Sequence, residues 1–106
     1  MNNVVVVGRA GRDPEIKYFE SGKCKTTFSM AVSRWDAKTS AETTDWFNID
    51  MWDKPAEIAA EYVKKGSLLW VEGRLTVNKY TGKDGNPREF FSINCNQMRL
   101  LGKKAE

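Results

Sequence analysis

The fold is decided by residues 44–66, which read TDWFNIDMWDKPAEIAAEYVKKG. The first part of this stretch alternates, because Phe47, Ile49 and Met51 are apolar and occupy every second position. Successive side chains of a strand point to opposite faces, so these three residues would take the core face. The pattern therefore predicts a strand from about Thr44 to Trp52.

The second part of the stretch changes to helical spacing. Pro55 suits the first turn of a helix, with Asp53 or Lys54 at the cap position. Gly66 suits the end of the helix, and the preceding lysine pair suits the negative end of the helix dipole. The predicted apolar stripe comprises Pro55, Ile58, Ala59, Tyr62 and Val63.

The rest of the chain supplies four further extended stretches around this strand and helix. The first is a β-branched run, typical of a strand buried on both faces, and it resumes after a Gly/Pro break. Gly73 marks a bend or bulge. Three strands, one helix and two strands form the order of a five-stranded OB-fold Greek-key barrel, with the helix between strands 3 and 4. We predict this mainly β fold as a single domain over residues 1–106, with strands at Val4–Val7 continuing at Ile16–Phe19, Cys24–Trp35, Thr44–Trp52, Ser67–Tyr80 and Glu89–Leu101.

Catalytic and metal-binding signals are missing from the sequence. There are no histidines, no phosphate-binding glycine loop and no nucleophile elbow. Alternation places Asp50 and Asp53 on opposite faces, which argues against a paired-carboxylate site. Cys24 and Cys95 lie in alternating stretches and are expected to be buried free thiols. We therefore expect a protein that is not an enzyme and uses no cofactor and no metal.

Charge and hydropathy bound the location and the partners. The net charge is only +3, and the positive excess lies in the second half of the chain. No apolar run approaches the length of about 20 residues that spans a bilayer, and the residues after Met1 lack the features of a signal peptide. The expected location is the cytoplasm, associated with the nucleoid, without membrane attachment.

The outer face of the third strand carries the functional signal. Trp46 and Trp52 share that face with Asn48 and Asp50, so two large apolar rings lie on a polar side. Either a packed loop or subunit, or the flat faces of nucleic-acid bases, would cover them. Lysines interleave with the aromatic residues, which favours bases, because a single strand offers a π-face and a phosphate at every nucleotide.

The other aromatic residues divide into two groups. Trp35 and Tyr80 stand at strand ends beside long loops, where they could stack on bases or serve as structural anchors. Trp70 lies between Leu69 and Val71 and is expected to serve packing or an interface. The residues expected in or near the core are Phe28, Phe47, Phe90 and Phe91.

Several blocks of this sequence together resemble bacterial single-stranded DNA-binding proteins over essentially the whole chain. They are residues 5–8 (VVVG), 11–15 (GRDPE), 28–33 (FSMAVS), 44–47 (TDWF), 61–67 (EYVKKGS) and 71–75 (VEGRL). The resemblance implies a homotetramer of OB-folds that binds single-stranded DNA during replication, repair and recombination. It implies base stacking by Trp35, Trp46, Trp52 and Tyr80. It implies that the DNA path follows Lys17, Lys38, Lys54, Lys64, Lys65 and Lys79, and Arg74 is added for its place on the aromatic side of its strand.

Two departures from the family pattern bear on these expectations. Thr76 and Asn78 stand where well-studied members carry arginines, which weakens the case for phosphate contacts there. The sequence stops at Glu106 without the linker and acidic tip with which typical members recruit other replication proteins. If the chain is the native full length, no docking of such partners through an acidic tail is expected. Two interpretations stay open, a trimmed piece and a naturally tailless member. The competing hypothesis is a protein-docking OB module of the primosomal kind, against which all four aromatic positions argue.

Overall fold

The computed structural model describes residues 1–102 and contains six strands and one helix. The prediction about an acidic docking tail falls on residues 103–106 and lies outside the described residues. The predicted first strand is divided in two by residues 11–14, where Pro14 has no amide hydrogen to donate. The elements are β1 (Val4–Ala10), β2 (Glu15–Tyr18), β3 (Cys24–Asp36), β4 (Ala41–Trp52), α1 (Asp53–Tyr62), β5 (Leu68–Thr81) and β6 (Pro87–Leu101).

The strands form one sheet in which β1, β5, β6, β4 and β3 close on themselves and β2 extends beyond β3. Their order is β1-β5-β6-β4-β3-β2, and β1 also pairs with β3 through Arg9 and Ala10, which closes a ring. The pairing of β4 with β6 is parallel and extends over only three residue pairs, whereas the other pairings are antiparallel. With α1 between β4 and β5, the observed element order is the predicted OB-fold order.

The core fills the inside of this ring through strand alternation. Ile49 and Met51 of β4 are buried opposite Phe28 and Thr26 of β3, as the sequence predicts. The Thr26 hydroxyl donates a hydrogen bond of 2.7 Å to the carbonyl oxygen of Ala56 in α1. A buried hydroxyl needs such a partner, so this bond fixes the helix against one end of the ring.

The predicted apolar stripe of α1 is wrong in part. The helix buries Ala56, Ala59 and the following Val63, while Ile58 and Tyr62 are exposed. Small side chains let the helix backbone approach the ring closely, and the large ones are left outside that contact. The helix also ends at Tyr62, before the predicted stop, so the two lysines after Val63 lie outside its last turn.

The prediction that Val4–Val7 is buried on both faces is wrong. Val6 is buried, but Val5 and Val7 are about half exposed on the outer face of β1. Val7 lies directly opposite Trp70 of β5, which is partly buried on the same outer face. Within the described chain, Val4–Gly8 pairs on one side only, because the contact with β3 begins at Arg9. A continuous apolar surface therefore borders a free strand edge.

The predictions for Gly73 and for the two cysteines are confirmed. Gly73 lies at a register shift between β5 and β6, and a Cβ there would contact the backbone of Asn94. Cys24 and Cys95 are free and buried. Burial raises the pKa of the Cys95 thiol to about 11 and also raises that of Cys24. Both thiols therefore stay protonated near neutral pH, which makes them poor nucleophiles.

Candidate nucleic-acid interface

The outer face of β4 carries both predicted tryptophans. Residues directly opposite each other on neighbouring strands project to the same side of the sheet, and Trp46 lies opposite Ala31 while Trp52 lies opposite Lys25. The small Ala31 leaves the indole of Trp46 uncovered, so that side chain is 62% exposed. The shared outer face predicted for the two tryptophans is confirmed.

The loop between β1 and β2 packs against the indole ring of Trp46. The amide of Gly11 donates a hydrogen bond of 2.8 Å to the carbonyl oxygen of Ser29, which fixes the loop to β3. A Cβ on Gly11 would come within 2.5 Å of Cζ3 of Trp46. Glycine at this position therefore lets the loop backbone lie against the indole edge, and the exposed ring is held rather than free to swing.

Trp52 is held by a second aromatic residue, which the sequence analysis missed. The ring of Phe19, just after β2, stacks on Trp52 with centroids 5.9 Å apart and planes inclined by 23°. The Lys25 Nζ lies 5.3 Å from the Trp52 ring centroid, and the Lys17 Nζ lies 5.6 Å from the Phe19 centroid. The turn at residues 21–23 was a usable signal, because a hairpin there brings the residues after β2 beside Lys25 and its neighbour Trp52.

Trp35 and Lys38 lie at the tip of the β3–β4 hairpin. Trp35 shares the outer face with Trp46 and is largely exposed. Four residues of extended strand separate Ala31, opposite Trp46, from Trp35, which corresponds to about 13 Å along the face. The backbone amide of Lys38 donates a hydrogen bond of 3.0 Å to Asp36 Oδ1, which orders the turn that presents the lysine.

Tyr80 lies on the β5–β6 hairpin, on the same face of β5 as Arg74. Its ring meets Phe90 edge-on, with centroids 5.9 Å apart and planes inclined by 62°. The prediction that Phe90 and Phe91 belong to the core is wrong, because both are about half exposed. This hairpin extends beyond the last residue pair between β4 and β6, so no third strand from the described part of the chain covers Phe90 or Phe91 there.

Polar side chains that can form hydrogen bonds, here called the belt, lie between the aromatic groups on the outer face. One row across the sheet passes from Thr27 through Asp50 and Asn94 to Arg74. Asp50 lies 3.8 Å from the Lys25 ammonium, which places a negative charge within the belt. In the next row, Ser92 accepts a hydrogen bond of 2.8 Å from Asn78 and lies 2.9 Å from the Thr76 hydroxyl. Thr76 and Asn78 thus bond to the protein itself.

A groove of about 310 Å³ opens beside Trp46 where β4 and β6 diverge. Asn48 lines the groove, and its side-chain amide donates a hydrogen bond of 3.1 Å to the carbonyl oxygen of Phe91. The lining residues are Trp46, Phe47, Asn48, Leu75, Phe91, Ser92 and Ile93. Flat rings beside an amide are the kinds of group that contact an unpaired base.

The predicted cationic residues are not all brought together. Lys17 and Arg74 lie on the aromatic face, and Lys54 follows Trp52 in the first turn of α1. Strand alternation turns Lys79 away from Tyr80, to the side that holds Glu89. Lys64 and Lys65 lie beyond the other end of α1, where the Lys65 amide donates a hydrogen bond of 2.7 Å to Asp13 Oδ1.

Across residues 1–102, no three histidine, cysteine, aspartate or glutamate side chains are grouped as a metal site would require. Within the same residues, no helix has the length and apolar character needed to cross a membrane.

Comparison with known proteins gives one consistent family. The profile of the "Single-strand binding protein family" matches residues 1–101. A single-stranded DNA-binding protein of Neisseria meningitidis serogroup A is 44% identical over 109 residues, which cover 100% of this chain and 63% of that protein. Single-stranded DNA-binding protein 1 of a Synechocystis species is 46% identical over 107 residues, covering 100% of this chain and 88% of that protein. The chain thus spans less than two thirds of the Neisseria relative.

Proposed function

Because the chain belongs to the single-strand binding protein family, we propose that it binds single-stranded DNA by stacking bases on the outer face of β3, β4 and β5. The observation that carries this proposal is Trp46, a large ring that is 62% exposed and yet held in place by Gly11. An apolar ring fixed toward solvent beside polar groups is suited to a flat ligand.

Stacking accounts for selectivity between nucleic-acid forms. Every unpaired base has an accessible π-face, whereas a duplex hides the faces of its bases. The proposed stacking residues are Trp35, Trp46, Trp52 and Tyr80. Binding is expected to be nearly indifferent to sequence, with a mild preference for pyrimidine runs because weakly stacked strands unstack at low cost.

Phosphate contacts would come from the cations around these rings. Lys17 and Lys54 flank Trp52, Lys38 accompanies Trp35, and Arg74 shares the face of Tyr80. Lys64, Lys65 and Lys79 point elsewhere, so their contribution requires a strand that curves around the end of α1 or around the β5–β6 hairpin. Each neutralised phosphate of a single strand adds about −0.7 to the log–log slope of affinity against salt.

Titration of poly(dT) followed by tryptophan fluorescence, at two salt concentrations and with a duplex competitor, tests the proposal. We expect quenching that saturates, an affinity that falls as salt rises, and little competition by duplex. Equal affinity for duplex and single strands, or an affinity independent of salt, would contradict base stacking supported by lysines.

We further propose that the chain assembles into a homotetramer that protects single strands in replication, repair and recombination, without a catalytic step. The free edge of β1 and the apolar outer surface formed by Val5, Val7 and Trp70 support a two-fold contact between copies. Sedimentation equilibrium is expected to give four times the chain mass of 12.1 kDa. A mass near that of one chain would refute the tetramer, and DNA turnover would refute the absence of catalysis.

A further inference from the structure

Phe19 stacks on Trp52 but is not one of the four proposed stacking residues. Both rings are 38% exposed, and Phe19 is not among the residues that pack against the buried core. Each ring has a lysine nitrogen within 6 Å of its centroid. A hairpin aromatic residue that supports no core and is flanked by cations has the features of a ligand contact rather than of packing.

Strand pairing and a closed turn position this group. Lys17, Lys25 and Trp52 stand directly opposite one another on β2, β3 and β4, which puts them in one row on the outer face. Phe19 follows β2 in a turn closed by its own amide, which donates to the carbonyl oxygen of Lys23 at 2.8 Å. Gly22, with φ of 89°, takes the left-handed conformation that this turn requires.

The row also lies at an edge of the sheet. β2 pairs only with β3, so it forms the edge of the sheet next to this face. The ion pair of Lys25 with Asp50 is long, at 3.8 Å, and both side chains are partly exposed. A phosphate is therefore able to replace Asp50 as the partner of Lys25 at small cost, because exposed ion pairs contribute little.

We propose that the β2–β3 hairpin is a further nucleotide subsite, in which a base stacks on the Phe19–Trp52 pair and its phosphate lies between Lys17 and Lys25. The inference rests on the proposed function and extends it, because Phe19 becomes a fifth stacking residue and Lys25 a further phosphate contact. The track for single-stranded DNA then reaches across β4, β3 and β2 to the sheet edge.

Phe19→Leu tests the stacking role, because it keeps an apolar side chain and removes the π-face. Tyr18→Leu is the matched control, since Tyr18 is the neighbouring residue of the same hairpin, is exposed, and alternates to the other side. We expect Phe19→Leu to weaken oligo(dT) binding at least about fivefold, the loss of one weak stack. Tyr18→Leu should bind as the parent does, and both variants should melt as the parent does.

Two further measurements locate the nucleotide itself. An oligonucleotide that carries 5-iodouracil is expected to photocrosslink to Phe19, mapped by fragmentation of the peptide of residues 18–23. Lys25→Gln should reduce the magnitude of the salt slope by about 0.7, the contribution of one phosphate on a single strand.

The outcomes separate the two proposals. If the parent protein does not bind single strands, the proposed function fails. If the parent binds and Phe19→Leu binds equally well, or if Tyr18→Leu loses as much affinity as Phe19→Leu, the hairpin subsite alone is wrong. Crosslinks confined to Trp35, Trp46, Trp52 and Tyr80 would overturn it in the same way.

Discussion

At the residue scale, adjacent side chains of β4 have different roles, because one face of the strand is buried in the core and the other is exposed. Trp46→Ala and Trp52→Ala remove outward rings, so we expect each to weaken poly(dT) binding by about 1–3 kcal/mol and to leave the fold largely intact. Ile49 is fully buried, so Ile49→Ala should cost about 2–5 kcal/mol of unfolding free energy through the cavity it leaves. Thermal melts and titrations of all three variants check this, and tryptophan variants that melt like Ile49→Ala would contradict the stacking role.

Asp50 is a single residue whose charge opposes binding on the same face. Asp50→Asn removes the negative charge beside Lys25 and frees that lysine for phosphate. We expect severalfold tighter binding at low salt, because a phosphate no longer competes with Asp50 for Lys25, and a salt slope close to that of the parent, in which Lys25 already contacts one phosphate. Asp45→Asn is the control, since this substitution removes the same charge from the opposite face of β4. There the Asp45 carboxylate pairs with Arg34, with 2.7 Å between Oδ2 and Nε. Equal gains from both variants would show that only net charge matters.

Ser40 has a backbone conformation that its side chain disfavours. Its φ is 52°, in the left-handed region, at the turn of the β3–β4 hairpin. We expect Ser40→Gly to raise the unfolding free energy by about 1 kcal/mol and to leave DNA affinity unchanged. Thr39→Gly, one residue earlier in the same turn, should instead lower it by about 0.5–1 kcal/mol, because its φ gains nothing from glycine. Denaturant unfolding of both variants measures the difference, and stabilisation by both would contradict it.

At the element scale, the β5–β6 hairpin that carries Tyr80 depends on one carboxylate. Asp84 accepts hydrogen bonds from the backbone and side-chain amides of Asn86 and from Arg88, and the bonds from Asn86 contribute most to lowering its pKa. Because the pKa of Asp84 is lower in the folded protein, its carboxylate stabilises the fold at pH values above the ordinary carboxyl pKa of about 3.9. This stabilisation is lost as the pH falls through the pKa that Asp84 has in the folded protein. We expect the Asn86 amide resonance to shift as the loop loosens below about pH 4. In Asp84→Asn that titration should be absent, and its persistence would point to another group.

The elements differ in how far their sequences determine them. The alternation of β4 predicts both of its faces, because Phe47, Ile49 and Met51 meet a core that lies on one side only. The same alternation does not predict that Phe90 and Phe91 are exposed, because that depends on where β6 extends past its neighbour β4. The stripe of α1 is likewise mispredicted, because the buried face is set by the close approach of Ala56 and Ala59 to the ring.

Phe19 shows the corresponding limit for the candidate site. Trp46 and Trp52 could be placed from their own strand, since two outward tryptophans on one strand are conspicuous. Phe19 belongs to the site only because the β2–β3 hairpin folds it onto Trp52. Lys79 shows the reverse case, because it is adjacent to Tyr80 in sequence but lies on the opposite face of the same strand.

At the scale of the whole molecule, the outer surface of β1 tests the proposed assembly. Val7 is 47% exposed beside Trp70, so Val7→Lys should leave the protomer folded and shift the protein to smaller assemblies in sedimentation equilibrium. Val77→Lys is matched in exposure at 48% but lies on the β5–β6 hairpin, and it should assemble as the parent does. Assembly unaffected by Val7→Lys would contradict a contact through this surface.

The free edge of β1 also has a consequence during synthesis on the ribosome. Within residues 1–102, β1 pairs along most of its length with β5, the fifth of six strands, and it meets β3 only through two residues. Pairings between segments that are distant in sequence form slowly. The run Val4–Val7 therefore lacks its main pairing partner until β5 has been translated. A short β-branched run of this kind is prone to aggregate when exposed. In the nascent chain, Val4–Val7 is therefore the segment that a chaperone would be expected to cover until β5 has left the exit tunnel.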